Sequence, residues 1–326
     1  MSKIVYYINE LYFPNGYHSF PHHRLPQAYM EIFPWYSLNW ESLNEIKGKN
    51  NIIFVQTPVS NELIKLKLLY PLLENNYVFR NQESNIFDWF DWPADTQELY
   101  IDILSKCTAF CYHSDYDATV MKIFTKNLIK YSGCANFFVE EPKKFEQGKY
   151  VIVPSPLKGY QRGMISHVLA SNNVKELPIY STKYTRPENG KIPLDSIFIP
   201  RPDLYKRKGI QMVDRMNINE WFTFIYNSKF GIDIHREFSG GNVSLEFGSL
   251  GVPLIGNIHL DTQRDIFPNL SFEFNDYEGI KNAIHLLLND KDFFEEVSNK
   301  ALNNTKEKYN SKTVVEKFKQ DINPYL

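Results

Sequence analysis

Short apolar runs alternate with segments of helical spacing along most of this chain, and that rhythm constrains the fold more than any other feature. In the first half, Lys3–Ile8, Asn51–Gln56, Asn76–Phe79 and Thr108–His113 read as strands. Asn61–Leu73, capped by Ser60, reads as a helix, as do Asp95–Ser105 and Asp115–Leu128. The second half repeats the pattern. Tyr150–Val153, Glu176–Tyr180, Phe230–Ile234 and Pro253–Gly256 are expected strands. Arg162–Ala170, Asn219–Asn227, a stretch from about Val243, Asp276–Leu288, Lys291–Lys308 and Ser311–Ile322 are expected helices. Strands that alternate with helices form parallel βαβ units. The expected class is therefore α/β, with two Rossmann-like βαβ domains facing a cleft. Parallel sheets bind ligands at the loops that leave the C-terminal ends of their strands.

A chain of 326 residues fits two domains better than one. The charged, weakly patterned stretch Glu140–Lys149 marks the linker. This divides the chain into an N-terminal domain over 1–146, a C-terminal domain over 147–308, and a closing helix over 309–326 that is expected to pack back on the first domain. Hydrophobic residues make up 43% and charged residues 23%, which is enough apolar material for packed cores. The formal net charge of −2 lacks the basic excess of a dedicated nucleic-acid binder. Three cysteines, Cys107, Cys111 and Cys134, give no disulfide framework and no CxxC pair, so no zinc site is expected. The first residues enter a strand directly, with no secretory pattern, and no apolar run is long enough to span a bilayer. A cytoplasmic protein is expected, in the host cytoplasm if the source is viral. Oligomeric state is open.

One stretch carries most of the chemistry: Phe230-Gly-Ile-Asp-Ile-His-Arg-Glu-Phe-Ser-Gly-Gly-Asn-Val-Ser-Leu-Glu246, continuing to Gly256. It reads as strand, glycine loop, helix, turn, strand. Gly240 and Gly241 allow unusual backbone angles and close approach to a ligand. The N–H groups of Asn242 and Val243 open a helix, and such an end suits a diphosphate. Glu246 is expected in the first turn, where its carboxylate can accept hydrogen bonds from ribose hydroxyls. Gly251-Val-Pro253 ends the helix.

Ser244-Leu-Glu-Phe-Gly-Ser-Leu-Gly-Val-Pro-Leu-Ile-Gly256 resembles the donor-binding signature of GT-B glycosyltransferases. The resemblance implies that Glu246 holds the ribose of a nucleotide-sugar, and that Ser239, Gly240, Gly241, Asn242 and Val243 line the diphosphate and sugar. Glu237 matches the first glutamate of the paired motif of the retaining branch. Eight residues separate Glu237 from Glu246, where the family carries seven, so the stereochemical outcome is open. Pro154-Ser-Pro-Leu-Lys-Gly-Tyr-Gln-Arg-Gly163 resembles the family's Lys-Gly element, which implies that Lys158 and Arg162 neutralise the leaving diphosphate. Trp221 and Phe222 lie on the helix that packs below the base in that family, and read as core. The implied activity is metal-independent hexosyl or pentosyl transfer from a nucleotide-sugar, UDP- or GDP-linked, with no further cofactor. The resemblance spans residues 150–310 and fades before them.

The first half is expected to hold the acceptor. Glu83, in Arg80-Asn-Gln-Glu-Ser-Asn-Ile-Phe-Asp-Trp-Phe-Asp-Trp-Pro93, is a candidate general base beside tryptophans, with Asp88 and Asp91 as alternatives on the acceptor side. The loop around Gly16 carries His18, a further catalytic candidate, with His22, His23 and Arg24; prolines there oppose a helical metal-binding spacing. The order of the Glu83 segment and Cys111-Tyr-His-Ser-Asp-Tyr-Asp117 is also similar to bacteriophage-encoded glycosyltransferases. Candidate acceptors are therefore a glycan, a protein, or a hydroxylated base in phage DNA. The competing reading is a non-catalytic nucleotide- or sugar-binding module that keeps the GT-B shape.

Overall fold

A computed structural model describes residues 6–9, 35–37, 40–46, 53–57, 77–81, 93–133, 148–155, 163–182, 209–214, 216–234 and 241–325. By its contacts the chain divides into two compact units. One takes Met1–Cys134 and Ser311–Leu326, and the other takes Ala135–Glu237 and Gly241–Asn310.

The first unit holds a six-stranded parallel sheet in the order β2-β1-β3-β4-β5-β6. Its strands are β1 (Tyr6–Asn9), β2 (Trp35–Ser37), β3 (Ile53–Thr57), β4 (Tyr77–Asn81), β5 (Ala109–Tyr112) and β6 (Leu128–Lys130). Consecutive residues Tyr77, Val78 and Phe79 are all buried, as in a parallel strand covered on both faces. Its helices are α1 (Trp40–Ile46), α2 (Ala94–Lys106) and α3 (Asp115–Met121), joined by the C-terminal α10 (Ser311–Ile322). Helix α2 buries Thr96, Tyr100, Ile103 and Leu104, the stripe expected of an amphipathic helix. Tyr100 meets the ring of Phe79 edge-on at 5.8 Å. Helix α10 buries Val314, Val315, Phe318 and Ile322 and lies against β6, with Phe318 edge-on to Tyr131 at 6.0 Å.

The second unit holds another six-stranded parallel sheet, in the order β12-β11-β10-β7-β8-β9. Its strands are β7 (Val151–Val153), β8 (Ile179–Thr182), β9 (Ile210–Val213), β10 (Phe230–Asp233), β11 (Leu254–Asn257) and β12 (Ser271–Phe272). Its helices are α4 (Met164–Asn173), α5 (Ile218–Asn227), α6 (Asn242–Ser249), α7 (Asp261–Ile266), α8 (Tyr277–Asn289) and α9 (Lys291–Lys308). The chain builds outward from β7 to β9 and then crosses to β10 on the other side of β7. Phe230 pairs with Val151, and Gly231 with Ile152. The strand order therefore reverses between β7 and β10, the point at which doubly wound sheets receive ligands.

Both sheets are parallel and the class is α/β, as the alternation predicts. The expected helix Asp115–Leu128 is shorter: α3 stops at Met121, and Leu128–Lys130 pairs with β5. Its run of β-branched and apolar residues suits either state, and sheet pairing decides. The elements β2, α1, β9, α7 and β12 are not among those the sequence pattern marks. The expected helix Asn61–Leu73 lies outside the described residues.

Candidate functional site

The C-terminal ends of β7 and β10 meet at the reversal of strand order. Just past β7, the hydroxyl of Ser155 donates to Asp233 Oδ1 at 2.5 Å, at the end of β10. Asp233 is 3% exposed. Helix α4 starts after Gly163, whose φ of 77° lies in the left-handed region, and its N-cap bears no side-chain hydrogen bond. Ser166 ties this helix to the neighbouring strand end. Its Oγ accepts from the backbone N–H of Ile234 at 2.7 Å and donates to the Ile234 carbonyl at 2.9 Å.

His167, one residue on, holds the turn itself. Its Nδ1 bonds the carbonyl oxygen of Gly163, and its Nε2 lies 2.9 Å from Ser181 Oγ. A carbonyl only accepts, so Nδ1 carries the proton and the serine hydroxyl donates to Nε2. Burial pushes the imidazole down to about 4, so the ring is neutral at physiological pH.

Helix α6 begins after a second left-handed glycine. Gly241 has a φ of 66°, and a Cβ there would stand 1.8 Å from Thr262 Oγ1. Thr262 instead donates that hydroxyl to the Gly241 carbonyl at 3.1 Å. This N-cap too bears no side-chain hydrogen bond. The first N–H groups of an α-helix have no partner inside it, and the glycine cap of α6 has no side chain to offer them. Beside them, Asn242 Oδ1 is buried with no hydrogen-bond partner among the described residues. At its other end α6 closes in a Schellman motif: Val252 N–H donates to the Phe247 carbonyl at 3.0 Å and Gly251 N–H to the Gly248 carbonyl at 3.1 Å. Ser244 donates to Gln263 Oε1 at 2.8 Å, and Gln263 in turn donates to the Leu254 and Leu270 carbonyls. Both ends and the middle of α6 are thus fixed.

Glu246 is the fifth residue of α6, so it does not lie in the first turn as expected. The helix starts one residue earlier than the sequence suggested, because Gly241 rather than Asn242 takes the cap position. Helical side chains lean toward the N-terminus, which returns the carboxylate toward the opening turn. Glu246 is 4% exposed. Trp221 on α5 donates its indole N–H to Glu246 Oε2 at 2.8 Å. Burial pushes the carboxyl up to about 7, the charge of Asp233 adds to the rise, and the indole N–H opposes it.

Of the anticipated donor residues, Gly241, Asn242, Val243 and Glu246 come together on α6. Lys158, Arg162, Glu237, Ser239 and Gly240 lie outside the described residues, as do Gly16, His18, Glu83, Asp88 and Asp91. The sequence reading missed Ser155, Ser166, His167 and Asp233. Ser155 and Asp233 had a signal, since each sits where an apolar strand run ends. Ser166 and His167 had none, because helical spacing alone makes them look like core. Trp221 is core as expected, at 8% exposed, but its N–H reaches the carboxylate as well.

No family model matches this sequence, and no curated protein matches it. Solved structures do match. Sucrose-phosphate synthase from Thermosynechococcus elongatus superposes with a TM-score of 0.69 at 11% identity, over 99% of each chain. The fold is GT-B. Anabaena HepE, solved with UDP and glucose, also gives a TM-score of 0.69, at 8% identity, over 99% of this chain and all of that GT-B chain. S. aureus TarM, solved with fondaparinux, α-GlcNAc-glycerol and UDP, gives 0.62 at 14% identity. That match covers 86% of this chain, which spans 58% of TarM's length. The expected α/β class with parallel sheets is thus met. None of the described helices of this GT-B chain is long and apolar enough to cross a membrane.

Proposed function

We propose that this chain is a glycosyltransferase that binds a nucleotide-sugar at the strand-order reversal of its second unit. The observation that carries the reading is the pairing of the glycine-started N-terminus of α6 with the buried carboxylate of Glu246. Free amides at a helix start favour a diphosphate through both hydrogen bonding and the helix dipole. A carboxylate with two acceptor oxygens suits the vicinal hydroxyls of a ribose. A buried anion is unfavourable unless something compensates it, and ribose hydroxyls supply that compensation when the donor binds.

In this reading the diphosphate rests on the amides of Asn242 and Val243, and the left-handed Gly241 lets the backbone approach it. Ser239 and Gly240 join them in lining the diphosphate and sugar. Lys158 and Arg162, in the segment between β7 and α4, neutralise charge that grows on the diphosphate as the glycosidic bond breaks. Helix amides and these cations do this work without a metal ion. Glu237 is a catalytic candidate of the donor half, and Glu83 or His18 takes the acceptor proton, with Gly16, Asp88 and Asp91 assigned to the acceptor side. The HepE and TarM complexes contain UDP, which places UDP-sugars first among donors to test.

The test is a thermal-shift screen of the intact protein against UDP-, GDP-, ADP- and CMP-sugars. We expect one base to stabilise it. No shift with any of them would overturn the reading. Donor hydrolysis or transfer to a glycan, a protein or hydroxylated DNA then separates an enzyme from a binding module.

A further inference from the structure

We propose that Trp221 is a positioning residue that aims the Glu246 carboxylate and so sets how strictly the site tells a ribonucleotide from a deoxyribonucleotide. This rests on the reading that Glu246 holds the ribose. The last torsion of a glutamate is broad, so the side chain alone does not fix the plane of its carboxylate. The indole N–H of Trp221 fixes it from outside, at 2.8 Å from Oε2. Among the described residues it is the hydrogen-bond donor to that carboxylate. Oε2 is thereby engaged, and Oε1 is left for a ribose hydroxyl.

Trp221 is itself held. Helix α5 opens with a capping box: Asn217 Oδ1 accepts from Glu220 N–H at 3.0 Å, and Glu220 Oε2 accepts from Asn217 N–H at 2.8 Å. The box sets the register of α5 one residue before Trp221. The indole packs at 6.1 Å from the ring of Phe224, which stacks at 4.8 Å on Tyr150. Tyr150 donates its hydroxyl to the Phe224 carbonyl at 2.8 Å. A rigid donor thus meets a carboxylate on a helix that is fixed at both ends. An indole N–H donates and cannot accept, so it enforces one orientation of its partner.

A carboxylate aimed in this way loses a charge-assisted bond when the ligand lacks the matching hydroxyl. An unaimed one can turn to water and discriminate less. The experiment measures dissociation constants by calorimetry for UDP, GDP, ADP and CDP, with the 2′-deoxy and 3′-deoxy form of whichever binds. Trp221→Phe keeps the aromatic packing and removes the donor. We expect the ribo-to-deoxy affinity ratio to fall about tenfold, the size of one hydrogen bond to a charged group. In a Glu246→Ala background, which leaves the indole no side-chain acceptor to aim, the same change should leave the ratio unmoved. If thermal melting shows that Trp221→Phe does not fold, benzothienylalanine at position 221 keeps the indole's shape without its N–H and serves instead. Wild-type protein that binds none of the four diphosphates would sink the donor reading itself. Wild-type protein that binds, with a ratio unchanged in the Trp221 variant, would overturn this inference and leave that reading intact.

Discussion

At the scale of single residues, two buried titratable groups impose opposite pH dependences on the ligand-free protein. His167 is pushed down to about 4 by burial. Between that value and the unfolded histidine range, the unfolded chain binds the extra proton, so stability falls as pH drops from about 6.5 toward 4. The full effect is about 3 kcal/mol. Chemical denaturation across this range should show the loss, and His167→Gln should flatten it. Glu246 behaves the other way. Its folded value of about 7 lies above the carboxylate range, so its contribution is complete below about 4.5 and fades as pH rises through 7. Glu246→Gln should therefore be more stable than wild type at pH 8, by up to about 3 kcal/mol, and little different at pH 4.5. The same variant should bind the nucleotide more weakly. Equal stability of the two proteins at pH 8 would contradict the burial of an ionised Glu246. A stability deficit at the site that ligand binding repairs is the usual pattern at functional positions.

At the scale of elements, the site depends on how α4, α5 and α6 start and stop. Gly241→Ala would place a methyl group against Thr262 in a left-handed turn. The backbone strain alone costs about 1–2 kcal/mol, before the clash is counted. Urea denaturation should show at least that loss, with nucleotide binding weakened beyond it. Asn217→Ala removes the capping box of α5 and should cost about 1 kcal/mol. It should also weaken nucleotide binding, since α5 presents Trp221. Cap loss without any change in binding would separate α5 from the site. Much of this was legible in the sequence. The Phe230–Gly256 stretch showed strand, glycine turn, helix and strand because each has a local marker: an apolar run, paired glycines, helical spacing and Gly-Val-Pro. The helix start differed by one residue because Asn242 as well as Gly241 qualifies as its cap, and the packing of Thr262 on Gly241 decides between them.

At the scale of the whole chain, sequence order and spatial grouping part company at the C-terminus. Helix α10 follows the second unit in sequence and belongs to the first in space. It buries Val314, Val315, Phe318 and Ile322, and each such side chain is worth about 1.5–3 kcal/mol. Their sum approaches the stability of an ordinary domain, about 5–15 kcal/mol. A chain that ends at Asn310 should therefore lose the cooperative unfolding of the first unit, followed by near-ultraviolet circular dichroism. The second unit contains the candidate donor site, so nucleotide binding should survive in that shortened chain if its sheet remains intact. Full cooperativity after the deletion would show that α10 is dispensable to the first unit.

By itself, the sequence determined the class of fold and the position of its main helices. Alternating apolar runs and helical spacing are local properties, and each is written within a dozen residues. It also placed a glycine-started helix and a glutamate together, because the two share one short stretch. Only the tertiary structure decided the strand order that sets β10 beside β7, and with it the meeting of Asp233 with Ser155 across 78 residues. The bond from Trp221 to Glu246 spans 25 residues and two helices. Such contacts depend on which strands pair and which helix faces meet. No local period encodes that choice; it follows from burying both faces of a parallel sheet at once.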